Sequence, residues 1–497
     1  MGRLMRRLVE EWRGRGVPAV AAGAGLCVAL VLPGTGVAAA AGETDPYVYA
    51  EGARTVPAAR NSTEASRLRT GATYRSSLGT GMSGVAYYSV ELDGAANAYV
   101  SVVAVPPLGP RVRAAYSDGI TVTLQDRDGN RCDSERATFR SGAYPRPVAA
   151  AAERLVRPGA LRCQAAGTYY VAVERRADAE STQETWGLEL RVATEPGLVS
   201  AAPTEGPKVW PSASAQPPTG KAARRTGGTS FNDAVALRAG VWKDGVRPGQ
   251  SRFYRVPVNW GQQLFLDAEL GGTAGDGARR GIVTGALDME LYNPARATVA
   301  AKGAPYAGDP TSAALEPLPP VAYENRYLMR DDQAAMRLAG WYYLKVTLNP
   351  AMAEKFGDEE SGLTLRVTVD GDERQAPDYV RDPGEFQVTE KDREAARRGE
   401  GGAVWEGAGS GDGDAGEGRG DGASGDAGSG GGSEAGASGS GSADSSSSTS
   451  SSTSSSASAD SGRMMLLGVA GLGTGTVLVL WLGVWRVVAV RRLRAGS

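Results

Sequence analysis

The sequence predicts an all-β protein: two tandem antiparallel β-sandwich modules of jelly-roll type, then a disordered Gly/Ser stalk and one C-terminal transmembrane helix. Three observations predict it. Short segments alternate apolar and polar residues with period two, the pattern of a strand with one face on a core. The same series of segments occurs twice in the same order. A run of 22 residues without a charge, Met464–Trp485, stands close to the C-terminus.

The repeat fixes the two modules. Tyr88, Val90 and Leu92 alternate with Ser89 and Glu91, as Tyr254, Val256 and Val258 alternate with Arg255 and Pro257. Ile120, Val122 and Leu124 answer to Leu287, Met289 and Leu291. Gly167–Val173 answers to Gly340–Val346, and Gly187–Val192 to Gly362–Val367. The offset between matched residues drifts only from 166 to 175. Period-two alternation means one face buried and one solvated, as in antiparallel sheets packed face to face. The first sandwich is expected over 42–195 and the second over 229–375. A Pro-rich linker, 196–228, joins them, and a charged segment follows at 376–400.

The ends read as export and anchoring signals. Arg3, Arg6, Arg7, Arg13 and Arg15 precede a weakly apolar stretch from Val17 to Leu32 and the small residues Ala38–Ala41, the pattern of a signal peptide over 1–41. That stretch is shorter than the roughly 20 residues a span needs, which argues for cleavage over retention. Both the general and the twin-arginine export routes stay open, and Cys27 lacks the small preceding residue that lipidation requires. Leu32–Gly36 spells a wall-sorting motif, but at the wrong end of the chain. Residues 401–462 are mostly Gly, Ser, Ala and Asp, with too little apolar surface to offset the entropy of folding; as a coil they reach about 40 Å. The 463–485 segment is expected to cross the membrane once. Arg486, Arg491, Arg492 and Arg494 place the short 486–497 tail in the cytoplasm and the sandwiches outside. Gly471 and Gly475 form a GxxxG pair suited to weak self-association.

Composition excludes more chemistry than it suggests. The chain has no histidine, so a Ser-His-Asp triad, a Cys-His pair and histidine metal ligation are all ruled out. The net charge of −2 calls for no nucleic-acid partner. Asp126-Arg127-Asp128-Gly129-Asn130 lacks the glycine position and terminal glutamate of a calcium loop, and is better read as a tight turn. No carboxylate pair is singled out for hydrolysis. The expectation is therefore no catalytic residue, no metal and no cofactor. With Cys27 removed, Cys132 and Cys163 remain, 31 residues apart in an exported module. A disulfide between them would contribute about 3–4 kcal/mol in the chain-entropy model; two buried thiols are the alternative.

The quoted segments carry a resemblance. "AYYSVEL … ITVTLQDRDGN … AGTYYVAVE … WGLELRV" resembles the bacterial pre-peptidase C-terminal domain, and "RFYRVPV … LDMELYNPAR … AGWYYLKVT … GLTLRVTV" is similar. The resemblance covers most of 80–195 and 230–370. It implies a jelly-roll fold and an accessory, non-catalytic module. The stretch 228–264 also resembles segments of actinobacterial secreted membrane proteins, some with a von Willebrand A domain. This chain has no D-x-S-x-S motif for that domain's metal site.

Aromatic residues are the remaining candidates for binding. Trp242, Trp260, Phe253, Phe265 and Trp341 fall in the second module, with Phe253 and Trp341 on the strand face opposite its core. Exposed, they would stack on sugars or anchor a protein; otherwise they pack against loops or the first module. The sequence thus predicts a non-enzymatic surface protein that binds or scaffolds a protein partner. Binding of cell-wall carbohydrate through these aromatics is the alternative, and a carboxylate-dependent hydrolase is a third reading.

Overall fold

A computed structural model describes residues 46–401, apart from 82–83, 110, 141, 201–202 and 273–280. The expected signal peptide, nearly all of the stalk, the transmembrane span with Gly471 and Gly475, and the tail lie outside the described residues. Among the described residues no helix is long and apolar enough to cross a membrane. The described strands fall within one compact unit.

The first sandwich contains β1 (Arg54–Thr55), β2 (Ser66–Leu68), β3 (Thr73–Leu78), β4 (Val85–Leu92), β5 (Asn97–Val105), β6 (Gly119–Asp126), β7 (Arg131–Thr138), β8 (Val148–Arg154), β9 (Gly167–Arg176) and β10 (Trp186–Glu195). The second contains β11 (Ala223–Arg224), β12 (Val235–Ala236), β13 (Gly240–Val246), β14 (Ser251–Val258), β15 (Gln263–Leu270), β16 (Val283–Tyr292), β17 (Thr298–Tyr306), β18 (Thr311–Ala314), β19 (Gly340–Leu348) and β20 (Ser361–Asp370). Module 1 pairs its strands as β1-β3-β10-β5-β8 and β2-β4-β9-β6-β7. Module 2 repeats that order, strand for strand, as β11-β13-β20-β15-β18 and β12-β14-β19-β16-β17. Without the short first strand of each sheet, which joins in parallel, the arrangement is the eight-stranded, two-sheet order of a jelly roll. Every repeat segment read from the sequence occupies equivalent strands in the two halves.

Alternation builds each core. In module 1 Tyr88, Val90, Ile120, Val122, Leu124, Val171, Val173, Leu188 and Leu190 point between the sheets. In module 2 Tyr254, Val256, Leu287, Met289, Leu291, Tyr342, Leu344, Leu365 and Val367 do the same. Cys132 and Cys163 form the expected disulfide, with a Cα–Cα distance of 5.6 Å, tying β7 to the loop before β9. Where module 1 has that staple, module 2 packs the chain between β18 and β19 onto its core through Leu318, Val321, Tyr323 and Met336. This chain includes helix α1 (Asp331–Ala334).

The expectation of one solvated face fails for several strands. β5 and β8 of module 1, and β16 and β19 of module 2, are buried on both sides. The cause is that the sandwiches stack. The outer face of the β1-β3-β10-β5-β8 sheet lies against the outer face of the β12-β14-β19-β16-β17 sheet. Tyr47, Val103 and Ala149 from the first half cluster with Phe231, Phe253, Tyr292 and Tyr343 from the second.

The Pro-rich stretch is tied down at several points. Val199 donates its N–H to the Asp378 carbonyl, Val380 donates to Gly197, and the Gln263 side chain donates to the Pro211 carbonyl. A short helix, α2 (Ala351–Phe356), precedes β20. The charged segment holds α3 (Glu390–Arg398), which begins in a capping box between Thr389 and Asp392 and ends at Gly399 with φ 73°.

Candidate functional site

The two stacked sheets create a seam that is charged as well as apolar. On β10, Leu188, Leu190 and Val192 face the core, so Glu189, Arg191 and Glu195 must face outward, into the other sandwich. Burying a carboxylate is tolerable only if it is paired and hydrogen-bonded, and each of these is.

Glu195 is fully buried and meets Arg326 of module 2 at 2.8 Å. It also accepts hydrogen bonds from Asn97 at 2.7 Å, Tyr99 at 2.8 Å and Tyr379 at 2.8 Å. Burial alone would raise its carboxyl. The Arg326 guanidinium and these donors outweigh burial and hold it below the usual carboxylate value. Reciprocally, burial disfavours charged Arg326, but Glu195 pushes its pKa further above the ordinary arginine range.

Glu189 meets Arg296 at 2.7 Å and accepts from Tyr47, from the Ala50 N–H and from Asn232. Arg296 lies over the Phe231 ring, 5.0 Å from its centroid. Its φ of 60° is a left-handed conformation uncommon for a residue other than glycine. The Asn293 side chain braces that turn by accepting from the N–H groups of Ala295 and Ala297. From this turn the guanidinium reaches across the seam to Glu189.

At the third point the signs reverse. Arg140 and Arg146 come from module 1, and Asp288 and Glu290 from β16. Arg140 meets Asp288 at 2.9 Å and Glu290 at 2.8 Å; Arg146 meets Asp288 at 3.2 Å. Lys345 of β19 pairs with Glu290 and donates to the Pro147 carbonyl of module 1 at 2.8 Å. Burial opposes ionisation of Glu290, yet Lys345, Arg140 and Arg146 bring its pKa down to about 2. Arg337–Glu153 and Arg191–Glu385 complete the seam.

The structure brings the sequence-predicted aromatics together only in part, and leaves them little surface. Trp242 and Trp260 are buried in the core of module 2. Phe253 does face away from that core, but it is 0% exposed because Tyr47 and Phe231 pack edge-on against it. Trp341 is half-buried. Arg255 stacks 4.3 Å from its ring centroid, its indole N–H donates to Asp392 at 2.8 Å, and Ala395 and Ala396 of α3 cover it. Phe265 on β15 is half-buried. Of the two readings the sequence leaves open, exposure or packing, Phe253 is packed by the first sandwich and Trp341 is partly covered by α3. The Asp126–Asn130 segment is the tight turn expected: Asp126 accepts from the Asp128 and Asn130 N–H groups, and Gly129 has φ 82°.

Sequence reasoning missed the seam charges. The signal lay in the near-continuous apolar runs Ala98–Val105 and Val148–Ala152, which read as strands buried on both sides. Among the described residues no cluster of Cys, Asp and Glu is arranged to hold a metal ion. A shallow cavity of about 240 Å3 opens between module 2 and α3, lined by Arg238, Val256, Pro257, Val369, Glu373 and Arg393. Arg393 there is already paired with Glu373 at 2.8 Å.

No protein-family model and no curated protein matches the chain. Among solved structures, the pre-peptidase C-terminal domain of collagenase from Bacillus anthracis is similar at 20% identity and a TM-score of 0.17, over 26% of this chain and 94% of that one. The tandem CBM22-1–CBM22-2 domain of Xyn10C from Paenibacillus barcinonensis is similar at 10% identity and a TM-score of 0.17, over 57% and 82%. The ANX1 ectodomain from Arabidopsis thaliana is similar at 9% identity and a TM-score of 0.16, over 63% and 92%. At such scores the jelly-roll assignment rests on the strand order alone.

Proposed function

We propose that this chain is a non-enzymatic binding or scaffolding protein of the cell surface. In this reading the 463–485 helix anchors it, the tail lies in the cytoplasm, the stalk carries the paired sandwiches outward, and the partner is a protein of the cell envelope. The observation that supports it most is the seam. Buried cross-module ion pairs and an aromatic cluster join the two jelly rolls, so a partner meets one broad two-module surface. The buried carboxylates Glu189, Glu195, Asp288 and Glu290 are all held by arginine or lysine, which suits a structural role better than a reaction. The sequence resemblance to accessory jelly-roll modules agrees. The carbohydrate reading relied on open aromatics; Trp242, Trp260 and Phe253 are buried, which leaves it the half-buried Trp341 and Phe265.

The test is cross-linking of the full chain in its native membrane, followed by identification of the joined proteins. A discrete partner in stoichiometric yield is expected. Retention on purified wall polysaccharide without any protein partner, or turnover of a glycan panel, would overturn the proposal.

A further inference from the structure

We infer that α3 is a releasable strap: it leaves module 2 before the sandwiches unfold, and in leaving it bares the covered face of Trp341 and the Arg255 guanidinium stacked on that ring. The inference goes beyond the proposed function and rests on it only for the source of tension.

The strap has a clamped end and a weakly tied one. Just before it, Phe386 is fully buried with its ring centroid 5.4 Å from that of Tyr99 in module 1, and Glu385 pairs with Arg191. The chain is therefore held in the seam at 385–386. Beyond that point the attachment is slight. Of its nine residues α3 buries only Ala395 and Ala396, against Trp341 and Ala236. Two methyl groups remove little apolar surface from water. The cavity of about 240 Å3 between α3 and module 2 has Val388, Arg393, Ala396 and Arg397 on its strap side, so the packing there is incomplete. Three hydrogen bonds tie the strap to the sandwich. The Trp341 indole N–H donates to Asp392 at 2.8 Å, Arg225 donates to the Arg398 carbonyl at 3.3 Å, and the Ala236 N–H donates to the Glu400 carbonyl at 2.9 Å. Arg393 pairs with Glu373, but both side chains are partly exposed and such a pair holds weakly. The other ion pairs of α3 among the described residues stay within 390–400.

Asp392 couples the helix to the cover. One carboxylate oxygen accepts the indole N–H; the other accepts the Thr389 N–H at 2.8 Å and its hydroxyl at 2.6 Å, closing the capping box. A nine-residue helix is marginal by itself in water. Losing the cap, melting the helix and uncovering the indole are therefore one event, a local opening that leaves the sheets intact. The repeat shows that the covered residue is particular to this half. The register pairs Pro257 with Trp341 as it pairs Glu91 with Thr168. Module 1 thus carries a threonine at the matching position, bonded to Glu91 on its own sheet. With the 463–485 helix anchored, a pull along the chain would reach the Glu400 and Arg398 ties first, then α3, and would be stopped at Phe386.

Two measurements on the purified full chain in detergent test the strap. By hydrogen–deuterium exchange, the 389–399 amides are expected to exchange about a hundredfold faster than those of β14 and β19. Asp392→Ala should speed exchange in α3 about tenfold further without touching β14 or β19. Gly399→Ala, which sets a methyl group against the Arg225 side chain at a left-handed φ, should act in the same direction. By hydroxyl-radical footprinting read by mass spectrometry, oxidation of Trp341 should rise several-fold in Asp392→Ala, while Trp242 and Trp260 in the core stay unchanged. Exchange of α3 in step with β14 and β19, unaltered exchange of α3 in Asp392→Ala, or faster exchange there with no gain in Trp341 oxidation would overturn the inference. None of these results depends on anchoring or on a partner, so the proposed function stands or falls separately by its cross-linking test.

Discussion

The two sandwiches share one strand order but use it differently. Module 1 buries the outer face of the sheet that contains β5, β8 and β10. Module 2 buries the outer face of the other sheet, which contains β14, β16 and β19. The contact is thus head-to-tail, with different surfaces meeting, as in heterologous assembly. Each half leaves one sheet face uncovered, and those faces are polar: Arg366 on β20, for example, pairs with Asp267 and Glu269 while about a third exposed. A duplicated fold has been specialised by its outward residues, while its inward ones preserve the jelly roll. Module 1 carries the disulfide, and module 2 carries the long packed loop whose Arg326 and Arg337 reach back across the seam.

The largest effect should come from breaking a buried pair. Arg326→Ala leaves Glu195 buried without its counter-charge and is expected to cost about 3–5 kcal/mol in denaturant unfolding; a loss below 1 kcal/mol would mean the seam is dispensable. Cys132→Ser removes the staple that only module 1 has, at a cost of about 3 kcal/mol in the same assay. Acid comes next. Because Glu195 and Glu290 are held below the ordinary carboxylate value, their contribution is present above it and is lost as pH falls through their lowered values, which for Glu290 is about 2. Thermal stability should fall over that window by on the order of 2 kcal/mol, and Glu290→Gln should flatten the fall. The smallest effect is Arg366→Ala on the uncovered face, expected to cost under about 1 kcal/mol. The contrast between Arg366 and Arg326 sets two arginine–carboxylate pairs in different environments and so measures what the seam adds.

The fold was largely legible in the sequence, and the seam was not. Alternation at Tyr88-Val90-Leu92 and its echo at Tyr254-Val256-Val258 report which side chains face a core, because that requirement is local to each strand. What covers the opposite side is not local. Phe253 and Glu189 have the pattern of solvent-facing residues, and the stacking of the two sandwiches buries them. The near-unbroken runs Ala98–Val105 and Val148–Ala152 were the local sign that both faces of a strand were covered. Arg326 and Arg296 sit in loops and turns, far in sequence from their carboxylates, with no periodicity to mark them. Likewise the exposure of the module 2 aromatics depended on partners such as Tyr47 and α3, which no local pattern marks.

The central claim is that the paired sandwiches unfold as one body. Differential scanning calorimetry of the full chain, before and after Arg326→Ala, tests it most directly. A single cooperative transition that moves as a whole to lower temperature in the variant is the predicted result. Two separable transitions in the unmodified chain, with only one displaced by the substitution, would contradict it.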